Sequence, residues 1–305
     1  MKTPTLSIAL AAFFVMASAH AECRLSANDP FEPNGGMPSG PFKGKCLVTE
    51  ERRSFRVLTL EEAAKVVPAG ELNPDLQWVA NVNHQGKFWV AGLPKKDGIA
   101  DIVFQVEHFP PEVIAAHTEL RINFKPDRKL RLYPQVGTAA PVELSAIILS
   151  VEAVPMRGGP TYDLIKGVQG YFGIASRLVS LEDKVAHIVF DARDTTDQYL
   201  LNIKGDELDR FWQLALARLN DPEMQNMYDT LRHSCTNSLF EVLDEFQGRT
   251  RGWRNRAVTA MPILAKQALE YRSLIDETLP TLNEEFHGPA KEKKKCNLWL
   301  FAPRK

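Results

Sequence analysis

Apolar residues recur along this chain with different periods, and each period predicts a different kind of element. The first run, Leu6 to Met16, is continuous except for Ser7 and is too short to span a bilayer as a helix, which takes ~20 apolar residues. With Lys2 before it and Ala19-His20-Ala21 after it, the pattern is that of a secretory signal peptide over residues 1–21. Beyond Thr59, whose hydroxyl and Glu62 suit a capping box at a helix start, the period drops to two. Leu76–Ala80 and Phe88–Ala91 read as a hairpin turning at Gln85-Gly86, and Ile102-Val103-Phe104 begins a further strand. Thr118, Leu120, Ile122 and Phe124 alternate with Glu119, Arg121 and Asn123, the pattern of a half-buried strand. Val142–Val154 is almost continuously apolar, as a central strand is. Val185–Phe190 and Tyr199–Ile203 read as two more strands. The period then changes to that of a helix over Asp206–Leu219, Cys235–Phe246 and Ala257–Leu279. No internal repeat is present, and no later run is long and apolar enough to cross a membrane.

Composition adds little except through cysteine and charge. The chain of 305 residues carries 37 Lys and Arg, one of them Lys2 in the leader, against 38 Asp and Glu, so the exported form is slightly acidic. That balance argues against nucleic acid as a partner. Four cysteines in an exported chain invite disulfides. Cys23 and Cys46 flank a Pro- and Gly-rich arm that makes little core of its own, which predicts a staple between them. Cys235 is open to two readings, a disulfide with Cys296 or a free thiol.

The free-thiol reading carries chemistry. Cys235 falls in the first turn of a helix whose apolar face includes Leu239 and Val242. The positive end of the helix dipole there favours thiolate. A base is needed, and His84, His108, His117, His187, His233 and His287 are available. His117, at the start of a half-buried strand, reads either as a base that a strand-on-helix packing can hold near the thiol or as an ordinary strand-end His. His233 is too close in sequence to Cys235 to face it. The glycines Gly167, Gly170 and Gly173 do not form a nucleotide-binding fingerprint. They read either as a tight, backbone-exposed loop beside an active site or as a plain surface loop. Arg249, Arg251, Arg254 and Arg256 read as a solvated face, and the Lys293–Phe301 tail as a docked terminus or a contact with a membrane surface. No metal site and no cofactor motif is expected.

Four features in order resemble the Lnb N-terminal periplasmic domain family, named for a bacterial lipoprotein N-acyltransferase. They are the His-led strand His117–Phe124, the segment Tyr162–Gly173, Tyr199–Ile203 leading into the helix from Asp206, and Tyr228 followed by Ser234-Cys235-Thr236. The family usually has Asn where this chain has Ser234. The resemblance implies a periplasmic α+β protein with a circularly permuted papain-like domain, an antiparallel sheet packed on a Cys-bearing helix. It divides the mature chain into an N-terminal α/β segment (22–105), the papain-like domain (106–247) and a C-terminal helical segment (248–305). It further implies Cys235 as nucleophile, His117 as base, and Tyr162, Gly167, Gly170 and Tyr171 as substrate-binding positions. The partner would be a lipid or lipoprotein whose acyl group is transferred or hydrolysed. The alternative is a non-catalytic binding module of the same fold, with Cys235 inert or paired.

Overall fold

The computed structural model describes residues 23–288 apart from 27, 34, 111–115, 161, 223–226 and 250–260. The leader, Cys296, Arg251 to Arg256 and the Lys293–Phe301 tail therefore lie outside the described residues. The architecture is mixed α+β, built on one large open sheet.

In chain order the strands are β1 (Arg56–Val57), β2 (Leu76–His84), β3 (Lys87–Pro94), β4 (Ile99–His108), β5 (Ala116–Phe124), β6 (Leu130–Pro134), β7 (Val142–Leu144), β8 (Ala146–Pro155), β9 (Phe172–Ser180), β10 (Thr195–Leu201) and β11 (Ile275–Leu279). The helices are α1 (Leu60–Ala63), α2 (Leu164–Val168), α3 (Leu181–Val185), α4 (Asp206–Leu219), α5 (Cys235–Phe246), α6 (Ala265–Tyr271) and α7 (Leu282–Glu285). Among the described residues the sheet order is β11-β10-β4-β5-β8-β9-β2-β3-β6-β7, with β1 also on β2, and every pairing is antiparallel except the short β2–β9 contact. One sheet thus draws strands from all three segments expected from the sequence, and the expected 105/106 division falls inside β4.

Helices cover both faces. Phe211 and Trp212 of α4, Leu239, Phe240, Val242 and Leu243 of α5, and Leu269 of α6 pack on Leu120, Ile122, Ile147 and Leu149 in the main core. On the opposite face Leu181, Val185, Val189 and Leu282 pack on Ala146 and Ile148. The helices α4 and α5 run over the spans their periodicity predicts.

Four elements differ from expectation. On strand β5 the alternation holds, with His117, Arg121 and Asn123 half-buried, except at Glu119, which is fully enclosed where Lys184 of α3 reaches it. Val185–Phe190 is not a strand: α3 runs into a π-helical turn, Ala186–Ala192. Ser180 caps it by accepting from the Asp183 N–H (3.3 Å), and Leu181, Val185, Ile188 and Val189 then fall on one helical face. The helix expected through Leu279 ends at Tyr271, where Ser273 turns with φ 55°, and Ile275–Leu279 pairs with β10 instead. Tyr162–Gly173 is no open loop, since Asp163 caps the short helix α2 within it.

The capping box at Thr59 and Glu62 forms, and Cys23 is bonded to Cys46. The staple holds an arm whose Met37 and Leu47 pack on Val154, Met156 and Ala175. Closing a loop of 23 residues is worth about 3 kcal/mol in the chain-entropy account. A Cys46→Ser variant should lose about that much stability in urea unfolding; an unchanged midpoint would show that the arm's packing holds without the bond.

Candidate active site

The site begins with a break in the sheet. The β5–β8 ladder runs from Asn123–Ala146 to Glu119–Ser150 and stops, whereas β8 continues on β9 to Pro155–Phe172 and β5 continues on β4 to Ala116–His108. Beyond Glu119 and Ser150 the two strands part, and the first turn of α5 lies at the opening. The Thr118 hydroxyl bonds that of Thr236 (3.3 Å), joining β5 to the helix. Ser234 caps α5 by accepting from the Asn237 N–H (3.4 Å), and the Asn237 amide donates to the Leu231 carbonyl (2.8 Å). Ser234 therefore does the capping work expected of this position.

A cavity of about 470 Å³ fills the opening and is lined by Cys235, His117, Glu107, Lys184, Tyr228 and Tyr162 among others. Cys235 is a free thiol, 3% exposed, at its floor. Burial alone would push the thiol up. The His117 charge and hydrogen bond, the Thr118 backbone N–H and the Thr236 hydroxyl turn the balance and bring it down to about 7. Burial likewise opposes charge on His117, but the Cys235 sulfur, by charge and by hydrogen bond, pushes the imidazole up to about 9. Between those values the pair is thiolate and imidazolium.

Behind His117 stands an ionic cluster. Residues 117 and 119 share a face of β5, and the Glu119 carboxylate lies 3.9 Å from His117 Nε2. Lys184 from α3 reaches Glu119 at 2.7 Å and Glu152 at 3.4 Å, while Arg177 takes the other oxygen of Glu152. Burial opposes the Lys184 charge, yet Glu119, Glu152 and Glu107 outweigh it and hold the ammonium above the usual lysine range. Burial also opposes Glu152, which Arg177, Lys184 and Arg52 nevertheless keep well below the usual carboxylate range. Glu107 goes the other way: burial raises it, with Glu119 and Asp194 adding and Lys184 opposing. Tyr228 lines the cavity beside Cys235, whose backbone N–H bonds its hydroxyl, and burial, with Cys235 and Tyr162 adding, holds that hydroxyl well above the usual phenol range.

Cys235 and His117 are thus brought together. Of the four expected substrate-binding positions, Tyr162 lines the cavity, its ring edge-on to Tyr228 at 5.8 Å. The other three shape the ground beside it. A Cβ on Gly167 would collide with the Thr230 hydroxyl, Gly170 (φ 75°) abuts Met227, and Tyr171 packs on Phe42 with ring centroids 4.7 Å apart. His187 also lines the cavity, on the π-helical turn. His108 pairs with Asp197 (3.0 Å), and His84 is buried edge-on to Trp89. His233 flanks the start of α5, bridged to Asp229.

Sequence reasoning did not single out Glu119, Lys184, Glu152, Arg177 or Glu107. For Glu119 the signal was present, two residues after His117 on one strand face. For Lys184 none was, because its role depends on where α3 lands. Among the described residues no group of three or more His, Cys, Asp and Glu side chains is set to hold a metal, and no helix is long and apolar enough to cross a membrane.

Residues 100–271, more than half of the chain, match the family model described as the Lnb N-terminal periplasmic domain. No curated protein and no solved structure matches the chain.

Two measurements check this geometry. The iodoacetamide rate at Cys235 should rise through a midpoint near pH 7, the value at which its thiol ionises. In His117→Ala the cation and its hydrogen bond are gone while burial remains, so the midpoint should climb above the ~8.5 of a free thiol; identical midpoints would mean that the imidazole does not act on the sulfur. Lys184→Met leaves two buried carboxylates short of their cation and should cost about 3–5 kcal/mol of stability, read by urea unfolding.

Proposed function

Since the chain belongs to the Lnb N-terminal periplasmic domain family, we propose that it is a thiol enzyme of permuted papain type that transfers or hydrolyses acyl groups of lipids or lipoproteins. The observation that carries the reading is the Cys235–His117 pair, buried at a helix start and ionised by its own contacts. An antiparallel sheet packed on a Cys-bearing helix, with the His strand earlier in the chain, supports the permuted arrangement.

The chemistry follows from the protonation states. The Cys235 thiolate attacks an ester carbonyl, a C–S bond forms, and the carbonyl electrons move to oxygen. The Tyr228 hydroxyl, which lines the cavity with Cys235, and the N–H groups at the α5 start serve as donors to that oxyanion. As the tetrahedral centre collapses, the C–O bond breaks and the His117 imidazolium gives its proton to the departing alcohol. An amine or water then attacks the thioester, His117 takes a proton from it, and the thiolate is released. Glu119 steadies the imidazolium from behind, while Lys184 neutralises Glu119 enough for His117 to give its proton up.

A second reading, a non-catalytic module that binds its ligand in the same cavity, is favoured by Ser234 in place of the family's Asn and by the depth of the thiol. Mass spectrometry after incubation with a short-chain p-nitrophenyl ester separates the two. The enzyme reading expects one acyl group on Cys235, absent in Cys235→Ser; an unmodified Cys235 that still alkylates with iodoacetamide would favour the binding module. Turnover should follow a bell between pH about 7, where the thiolate forms, and about 9, where the imidazolium is lost. Tyr228→Phe should lower kcat by about a hundredfold if its hydroxyl meets the oxyanion, leaving the alkylation midpoint of Cys235 near the parent's.

A further inference from the structure

Beside the cavity mouth three pieces of chain come together. The stapled arm brings Phe42 onto Tyr171, and Gly40 and Gly170 close on Met227 from two sides. Gly167 of α2 presses on Thr230, whose hydroxyl also meets the Tyr162 phenol at 3.4 Å. The 40–45 loop, α2 and the 229–233 turn therefore make one surface, and Tyr162 carries it into the cavity.

That surface is apolar at its tips and basic at its flanks. Ile165 is 68% exposed, Leu231 58% and Val168 47%, among the most exposed large aliphatic side chains described. Lys43, Lys45, Lys166 and Arg232 make no ion pair with another described residue. The nearby acids Asp163 and Asp229 act as caps. Asp163 accepts from the Ile165 and Lys166 N–H groups (2.9 and 3.0 Å), and Asp229 accepts from those of Leu231 and Arg232 (2.8 and 3.2 Å). Both carboxylates keep their charge, but Lys43, Lys45, Lys166 and Arg232 outnumber them, so the surface stays net basic. Large aliphatics ringed by unpaired cations suit the boundary between anionic headgroups and acyl chains, where the aliphatics leave water and the cations meet phosphate.

We propose that this surface docks on an anionic lipid bilayer, with Ile165, Val168 and Leu231 entering the headgroup boundary and the Cys235 cavity opening toward the membrane. The proposal deepens the acyl-lipid reading above and rests on it for the substrate, while its test does not depend on turnover. Purified protein is sedimented with sucrose-loaded phosphatidylcholine vesicles, with and without phosphatidylglycerol. The parent should pellet with the anionic vesicles, and I165D/L231D should bind about tenfold more weakly or worse, since two apolar contacts are replaced by charges that the anionic surface repels. K166E/R232E should lose the preference for phosphatidylglycerol. Iodoacetamide labelling of Cys235 should match the parent in all variants, which reports an intact cavity. A parent that stays in the supernatant overturns the proposal, and so does I165D/L231D pelleting like the parent, which would assign any membrane contact to another part of the chain. A dimer that I165D/L231D dissociates, with no vesicle binding by the parent, would replace the bilayer with a second copy. If Cys235 forms no acyl adduct but I165D/L231D still abolishes vesicle binding, the acyl-transfer reading fails and the docking surface stands.

Discussion

A thiolate taken out of water must be offered something in exchange, and the architecture around Cys235 can be read as the answer to that demand. Burial by itself would leave the sulfur protonated and inert. The helix start contributes part of the compensation, but a dipole end is a fraction of a charge, and a whole cation has to arrive as well. His117 supplies it only because β5 and β8 part where they do. A strand paired to its end would keep the imidazole on the far side of the sheet from α5. The gap in the ladder lets a side chain from one face meet a helix packed on the other.

Bringing an imidazolium into that opening creates a second demand. Glu119 is buried directly behind it, and a buried carboxylate with no other partner would bind the proton's charge too firmly for the ring to give it up. Lys184 tempers this from the opposite side, while Glu152 and Arg177 balance Lys184 in turn. The alternating signs leave each charge with an opposite neighbour at short range. The cluster thus ties the orientation of α3 to the protonation of a residue on another element.

How much of this was legible in the sequence depends on how local each cause is. The Cys235 helix, its Ser234 cap and the apolar stripe through Val242 are local, and they stand where period and capping place them. The Cys23–Cys46 staple was readable from two cysteines flanking a Pro- and Gly-rich arm. Glu119 was visible in the alternation of β5 but assigned to solvent, because nothing nearby in sequence announces that α3 will cover it. Val185–Phe190 misled for a related reason: β-branched residues favour strands, yet the capped turn at Ser180 sets a helical path first. Ile275–Leu279 misled in reverse, since strand β10 offered it an edge that only the folded sheet provides. Apart from Glu119, the ionic cluster had no sequence signature, because Glu152, Arg177 and Lys184 come from β8, β9 and α3.

The depth of Cys235 also bears on survival. The compartment in which such a family resides is one that makes disulfides, and the Cys23–Cys46 bond depends on that environment. A thiolate ionised near neutrality is the species that attacks an oxidising disulfide, so the feature that makes the sulfur reactive also endangers it. Thiol–disulfide exchange requires a bulky partner to approach the sulfur in line. An acyl carbonyl at the end of a slender chain needs far less room. A sulfur only 3% exposed is hardest for the bulkier visitor to reach. Burial thereby favours a Cys235 that stays a free thiol in surroundings where Cys23 and Cys46 pair.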